Sequence, residues 1–278
     1  MMPQVRLPDG TAVPALGQGT WHMGERAATA KAEAAALRAG LDRGLTLIDT
    51  AEMYAEGGAE EVVAQAIAGR RDEVFLVSKV DPQNASRKGC VAACERSLAR
   101  LGTDRLDLYL LHWRGAVPLA ETVAGMTALQ AAGKIRFWGV SNLDVEDMEQ
   151  LWAAGGDGCA TNQVLYNPEH RGIEFDLLAW QAARHVPVMA YTPLGQAGRL
   201  LRARSLAGVA ARHGATPAQV ALAWSIRSGN VMAIPKASSV EHVKANAAAA
   251  ALRLEPADLA AIDAEFAPPR RRQALAML

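Results

Sequence analysis

Eight short apolar, β-rich runs recur along the chain, separated by segments with the periodicity of amphipathic helices. The runs are Leu16 to Gly19, Leu45 to Asp49, Val74 to Lys79, Leu106 to His112, Phe137 to Ser141, Ala160 to Val164, Pro187 to Tyr191 and Val231 to Pro235. Strand alternating with helix at about 30 residues per unit is the pattern of βαβ units, which build a parallel sheet. Nearly unbroken runs such as Leu106, Leu108, Leu110 and Leu111 suit strands buried on both faces. Eight units in roughly 250 residues predict a closed (β/α)8 barrel, an α/β fold of the TIM type, rather than an open doubly wound sheet. The whole chain, 1–278, then reads as a single domain.

Local signals agree. From Thr29 to Arg43, Ala34, Leu37 and Leu41 share one face, while Lys31, Glu33, Arg38 and Asp42 point elsewhere. From Ser86 to Arg100 the expected stripe is Val91, Cys94, Leu98 and Leu101. The gap between Tyr191 and Val231 has room for two helices, broken near Gly214 and restarted with Thr216 as N-cap and Pro217 in the first turn. Ahead of the first barrel strand, Val5 to Leu7 and Ala12 to Pro14 flank a Pro-Asp-Gly-Thr turn and predict a hairpin closing the barrel floor.

Composition narrows the function. With 29 basic and 29 acidic side chains the formal charge is zero, so the electrostatic footprint of a nucleic-acid binder is missing, and Arg270, Arg271 and Arg272 are too short a run to supply one. The Met1, Met2, Pro3 start lacks a basic segment followed by an apolar one, and no stretch approaches the ~18 apolar residues of a membrane helix. A cytoplasmic protein with no membrane association and no required protein partner is expected. Cys90, Cys94 and Cys159 imply no disulfide framework. Cys90 and Cys94, one helical turn apart without further ligands, read as core residues, and no metal site is expected. Gly17-Gln18-Gly19-Thr20-Trp21-His22 opens like a dinucleotide fingerprint but places histidine where the third glycine belongs. His22, His170, His185 and His213 read as loop or surface residues, and Gly155-Gly156-Asp157-Gly158 as a turn.

Active sites of such barrels lie at the C-terminal ends of the strands. Those ends carry Thr20 and Trp21, Asp49 and Tyr54, Lys79, His112, Ser141 and Asn142, Gln163, Tyr191, and Lys236. Asp49 and Lys79 end on neighbouring strands, where each keeps the other ionised. Tyr54, in the loop after Asp49, can reach the same point, and an adjacent ammonium is expected to lower its pKa toward the range of an efficient general acid. His112 can orient a substrate oxygen or share its proton. Such a unit suits protonation of a carbonyl oxygen while the carbonyl carbon accepts a hydride. A Schiff-base lyase using Lys79 as nucleophile is the rival chemistry, but it needs a neutral amine, which Asp49 opposes.

These motifs resemble the aldo-keto reductases. Leu47-Ile48-Asp49-Thr50-Ala51-Glu52-Met53-Tyr54 is similar to a family signature, and Leu106-Asp107-Leu108-Tyr109-Leu110-Leu111-His112-Trp113 to its histidine-bearing strand. Gly139-Val140-Ser141-Asn142, Asn162-Gln163-Val164-Leu165-Tyr166-Asn167, and Ala233-Ile234-Pro235-Lys236 with Asn246 resemble the remaining motifs, in the expected order. The resemblance implies reversible NADPH-dependent reduction of carbonyl compounds without a metal, with Asp49, Tyr54, Lys79 and His112 as catalytic residues and Tyr54 as proton donor. It implies that Ser141, Asn142 and Gln163 bind the nicotinamide carboxamide and that Tyr191 stacks on the ring. Thr192, Leu194, Gly195 and Gln196 would run over the pyrophosphate, Lys236, Ser238 and Ser239 would face the adenosine phosphate, and Gly19, Thr20 and Asn246 would complete the cofactor site. Where many members carry arginine this chain has His242, and a frequent glutamate is Ala245; NADPH is still expected over NADH, with Lys236 as the point charge.

Trp21 and Trp113, with Tyr54 and His112, correspond to the substrate pocket. The short stretch from Phe266 to Leu278 implies an open pocket. The run from Asp49 to Glu60 looks most like bacterial members that reduce methylglyoxal and other small or reactive aldehydes, aromatic ones included. Some relatives keep the barrel as a nucleotide-binding regulatory subunit, so that non-catalytic role stands as an alternative.

Overall fold

The computed structural model describes residues 2–278; Met1, part of the start read above, lies outside them. A hairpin of β1 (Gln4–Arg6) and β2 (Ala12–Pro14) precedes eight strands in one parallel sheet. These are β3 (Gln18–Gly19), β4 (Leu47–Asp49), β5 (Phe75–Val80), β6 (Leu106–Leu111), β7 (Ile135–Ser141), β8 (Asn162–Leu165), β9 (Val188–Tyr191) and β10 (Val231–Ala233). Each pairs with its successor in the chain. Parallel bridges Leu16 to Ala233 and Gly19 to Lys236 join the last strand to the first, so the sheet closes into the expected barrel and leaves no bare edge.

The seam explains two glycines. A Cβ on Gly19 would stand 2.7 Å from the Ile234 carbonyl oxygen, and one on Gly17 2.6 Å from the Leu47 side chain. The segment that opens like a dinucleotide fingerprint is therefore built for close strand packing. Val5, Leu7 and Val13 of the hairpin are buried with the barrel core, which closes the floor.

Among the described residues ten α-helices surround the sheet: α1 (Ala27–Leu41), α2 (Gly58–Ile67), α3 (Arg87–Leu101), α4 (Leu119–Ala131), α5 (Val145–Ala153), α6 (Leu177–Ala182), α7 (Arg204–His213), α8 (Pro217–Ser225), α9 (Val240–Ala248) and α10 (Pro256–Glu265). Their ends follow local chemistry. Ser86 accepts from the Gly89 amide at the start of α3, and Thr216 and Gln219 form a reciprocal capping box on α8 with Pro217 in its first turn. Gly214, left-handed at φ 58°, ends α7 where the break was expected.

Three side chains depart from the sequence reading. Glu33 does not face solvent but is buried, accepting the Gly24 amide at 2.9 Å. Val91 is only half-buried, and the inner face of α3 is Cys90, Ala93, Cys94, Ser97, Leu98 and Leu101. His213 ends α7 on Asp258 of the neighbouring α10, at 2.6 Å, and is not a free surface residue. Cys90 and Cys94 lie in the core as expected, and burial pushes both thiols up to about 12.

One buried carboxylate ties the helical layer to the sheet. Glu60, in the first turn of α2 and fully buried, accepts from Ser78 Oγ of β5 at 2.6 Å and from Arg100 Nε of α3 at 2.6 Å. Arg100→Ala would leave that carboxylate with a single hydroxyl partner, and breaking a buried pair costs about 3–5 kcal/mol. Equilibrium urea unfolding of Arg100→Ala is expected to show a loss of about that size; a loss below ~1 kcal/mol would contradict a stabilising role for the tie.

Candidate active site

The register of the sheet creates the centre of the site. Asp49, the last residue of β4, lies opposite Val77 of β5, so Lys79 follows two residues further up the same face. Lys79 is completely buried, and its ammonium meets three oxygens: Asp49 Oδ2 at 2.8 Å, the Thr50 carbonyl at 2.8 Å and Tyr54 Oη at 3.3 Å. An ammonium has three donors and no acceptor, so all three are used. The phenol oxygen must be the acceptor in its contact, which leaves the hydroxyl proton of Tyr54 free to donate elsewhere.

Asp49 is held from the far side of the barrel. Its Oδ1 accepts Gln163 Nε2 of β8 at 2.7 Å, and its carbonyl accepts the Thr20 hydroxyl at 3.0 Å. Tyr54 is turned back toward the lysine by a strained segment, with Ala55 and Glu56 left-handed at φ 50° and 55° ahead of Gly57 and Gly58. Strain of this kind persists only where surrounding contacts over-determine it. The Tyr54 and His112 rings meet edge to face with centroids 5.6 Å apart, and Trp113 stands 4.9 Å beyond.

The electrostatics correct one expectation. Burial, with Asp49 acting in the same sense, raises the Tyr54 pKa above the usual 10, and the neighbouring ammonium only partly offsets this. The phenol is therefore neutral and holds its proton at physiological pH. For Lys79, burial disfavours the charge, but Asp49 and Tyr54 outweigh it and hold the amine above the usual lysine range. A fully engaged, fully charged ammonium is no Schiff-base nucleophile, so the lyase reading fails. Burial lowers the His112 pKa below 6.5, against opposing pulls from Asp81 and Asp49.

The remaining strand ends form a connected rim. Ser141 Oγ donates to the Gln163 carbonyl at 2.8 Å, and Asn142 Nδ2 donates to the His112 carbonyl and to Ser141 Oγ, each at 3.2 Å. The Tyr191 hydroxyl donates to Asn142 Oδ1 at 2.9 Å, and burial pushes that phenol up to about 12 against a backbone contact from Leu278. Thr192, Gly195 and Gln196 are all left-handed, giving a kinked loop on which Leu194 is half-buried. Asn167 Nδ2 ties that loop down through the Thr192 carbonyl at 2.9 Å, a role the sequence reading missed.

Further round, Lys236 is exposed beside the start of α9, where Ser239 is the N-cap, Ser238 half-buried and His242 exposed in the first turn; Asn246 is buried. Trp21 is exposed and stacks on His22, which is paired with Glu25. Met53, next to Tyr54 in the chain, is likewise exposed. The stretch after α10 is not loose: Arg272 reaches Glu146, Asp176 and Asp144 at 2.9, 3.3 and 3.5 Å. Among the described residues no cluster of histidine, cysteine and carboxylate side chains could hold a metal ion, and no helix is long and apolar enough to cross a membrane.

A family profile described as "Aldo/keto reductase family" matches residues 15–265, and the chain belongs to that family. It is 54% identical to "Methylglyoxal reductase YeaE" of Escherichia coli (strain K12), over 99% of this chain and 98% of that one. It is 32% identical to "Methylglyoxal reductase DkgB" of Salmonella typhimurium, over 91% and 92% of the two chains. Among solved structures, an aldo/keto reductase from Klebsiella pneumoniae in complex with NADP and acetate superposes with a TM-score of 0.97 at 56% identity, covering 100% of both chains.

The Lys79 contacts give a direct stability test. Lys79→Met leaves Asp49 as a buried, uncompensated carboxylate and is expected to cost about 3–5 kcal/mol. Adding Asp49→Asn removes that charge, so the double variant is expected to recover most of the loss in urea unfolding. Equal instability of the single and double variants would show that the two charges are not coupled.

Proposed function

We propose that the protein reduces small reactive aldehydes, methylglyoxal and aromatic aldehydes among them, to alcohols with NADPH, and that Tyr54 is the proton donor. The observation that carries this reading is the contact of Tyr54 with Lys79, which makes the phenol oxygen an acceptor and frees its proton. Relatives named as methylglyoxal reductases support the choice of substrate class.

The residues present fit the dinucleotide. Lys236 has no carboxylate partner among the described residues and stands beside the N-terminus of α9, where unpaired amides favour an anion; that suits a phosphate on the adenosine end. Ser238, Ser239, His242 and Asn246 line the same end, and the loop of Thr192, Leu194, Gly195 and Gln196 would cover the pyrophosphate. Ser141, Asn142 and Gln163 would bind the carboxamide, Tyr191 would support the ring, and Gly19 and Thr20 would border it. When bound, NADPH supplies the hydride.

The chain's own groups do the rest. Tyr54 donates its proton to the carbonyl oxygen as charge develops there, and the Lys79 ammonium stabilises the phenolate left behind. Asp49 keeps the lysine charged and fixed. His112 orients the carbonyl oxygen, and Trp21 and Trp113 provide apolar walls around the polar centre. His242 offers no permanently charged fork to a 2′-phosphate, so the preference for NADPH over NADH rests on Lys236 and the serines.

Absorbance at 340 nm with NADPH and NADH, across a panel from methylglyoxal and aromatic aldehydes to aldoses and ketones, tests class, cofactor and substrate together. Turnover of the small aldehydes with a higher kcat/KM for NADPH is expected. Tyr54→Phe is expected to lower kcat at least ~10²-fold, the lower end of what general acid catalysis contributes, with NADPH affinity nearly unchanged. Retained turnover in that variant would remove Tyr54 from its role; silence of the wild type with NADPH still bound would favour a regulatory subunit.

A further inference from the structure

Two buried polar atoms beside the site have no hydrogen-bond partner, and they face each other. Asp81 Oδ1 and His112 Nδ1 are both sealed from solvent and unpaired, and they lie 3.7 Å apart. An orphaned buried donor and acceptor each forfeit a hydrogen bond, so closing this gap by a few tenths of an ångström would satisfy both at once. Catalytic hydrogen bonds are commonly long in the free protein and tighten around substrate.

Asp81 is not loosely placed. Its amide donates to Glu52 Oε1 at 2.9 Å, and Glu52, itself buried, also receives Asn84 Nδ2 at 2.9 Å and pairs with Arg96 at 3.3 Å. Its second oxygen, Oδ2, accepts Gln83 Nε2 at 3.1 Å, which leaves Oδ1 as the oxygen directed at the imidazole. Glu52 lies two residues before Tyr54, and Asp81 two residues after Lys79. The same two loops that deliver the phenol and the ammonium thus deliver a carboxylate to the back of His112.

We propose that Asp81 is a positioning residue for the reduction: its Oδ1 accepts Nδ1–H of His112, fixing that tautomer and leaving Nε2 as the nitrogen turned to the substrate oxygen. Which imidazole nitrogen carries the proton is set by the hydrogen bond the other one makes. Closing the Asp81 contact favours the protonated ring against the burial that lowers its pKa, and only that form donates Nε2–H to the carbonyl oxygen; in the neutral Nδ1–H form Nε2 accepts from the hydroxyl of the alcohol. The inference rests on carbonyl reduction at this site. The charged and titratable groups facing the ring are Asp81 and Lys79 from β5 and the loop after it, and Asp49 and Tyr54 from β4 and its loop. Of these only Asp81 approaches Nδ1, so removing it acts on one nitrogen while the other three groups stay in place.

The test is ring-nitrogen NMR on the 15N-labelled protein with NADP+ bound, followed from pH 5 to 9, with His112→Gln providing the assignment. The expected neutral form is Nδ1–H. Asp81→Asn keeps an oxygen acceptor without its charge, so it should retain the tautomer while the His112 midpoint falls. Asp81→Ala should lose both the tautomer and the midpoint, and lower kcat/KM for methylglyoxal about tenfold, a fraction of the 10²–10⁴ that an acid–base group contributes, with KM for NADPH unchanged. A neutral His112 protonated at Nε2 in the wild type, or the same midpoint in all three proteins, would overturn the proposal. If the wild type fails to oxidise NADPH with any aldehyde, the reduction reading fails instead, and the NMR spectra still decide the Asp81–His112 pair.

Discussion

A fully buried ammonium must find three acceptors or give up its charge, and the top of this barrel is arranged around that requirement at Lys79. Stripping an ion of water costs several kcal/mol even after relaxation, so the lysine can stay charged only because Asp49, the Thr50 carbonyl and Tyr54 all point at it. Each partner is in turn constrained. Asp49 is held across the barrel by Gln163, Thr50 by the sheet, and Tyr54 by a turn with two left-handed residues. A centre that satisfies the lysine therefore also fixes the orientation of the phenol, and stability and chemistry are imposed by the same contacts.

The closed sheet makes this possible. Asp49 and Gln163 sit on strands far apart in sequence, yet the curl of the sheet brings them within 2.7 Å. Close backbone approach at Gly19 seals β3 to β10, and Glu60, Ser78 and Arg100 lock the helical layer beneath the strand that carries Lys79. Rigidity below supports strain above: the left-handed turn after Tyr54, Asn142 at φ 60° and the kinked loop from Thr192 all lie on the C-terminal face.

Much of this was legible in the sequence because period and position carry it. Strand runs, the Thr216 cap and the polar strand ends are local patterns, and the order of Asp49, Lys79 and His112 on successive strands follows from topology alone. What escaped depends on three-dimensional surroundings. Glu33 looks solvent-facing by periodicity but meets the Gly24 amide across a loop. The lysine was expected to lower the Tyr54 pKa, but burial and Asp49 reverse the sign, a balance no spacing rule can give. Asp81 follows an apolar strand as an ordinary loop residue, and only the folded chain sets it against His112.

The chemistry rests on where the protons lie: three on Lys79 and one on Tyr54 directed away from the lysine. Neutron diffraction from crystals of the deuterated protein with NADP+ bound reads those positions directly. Three deuterons are expected on Nζ, aimed at Asp49, the Thr50 carbonyl and Tyr54 Oη, with a phenolic deuteron turned into the cleft. Two deuterons on Nζ, or a phenolic deuteron pointing at the lysine nitrogen, would contradict it.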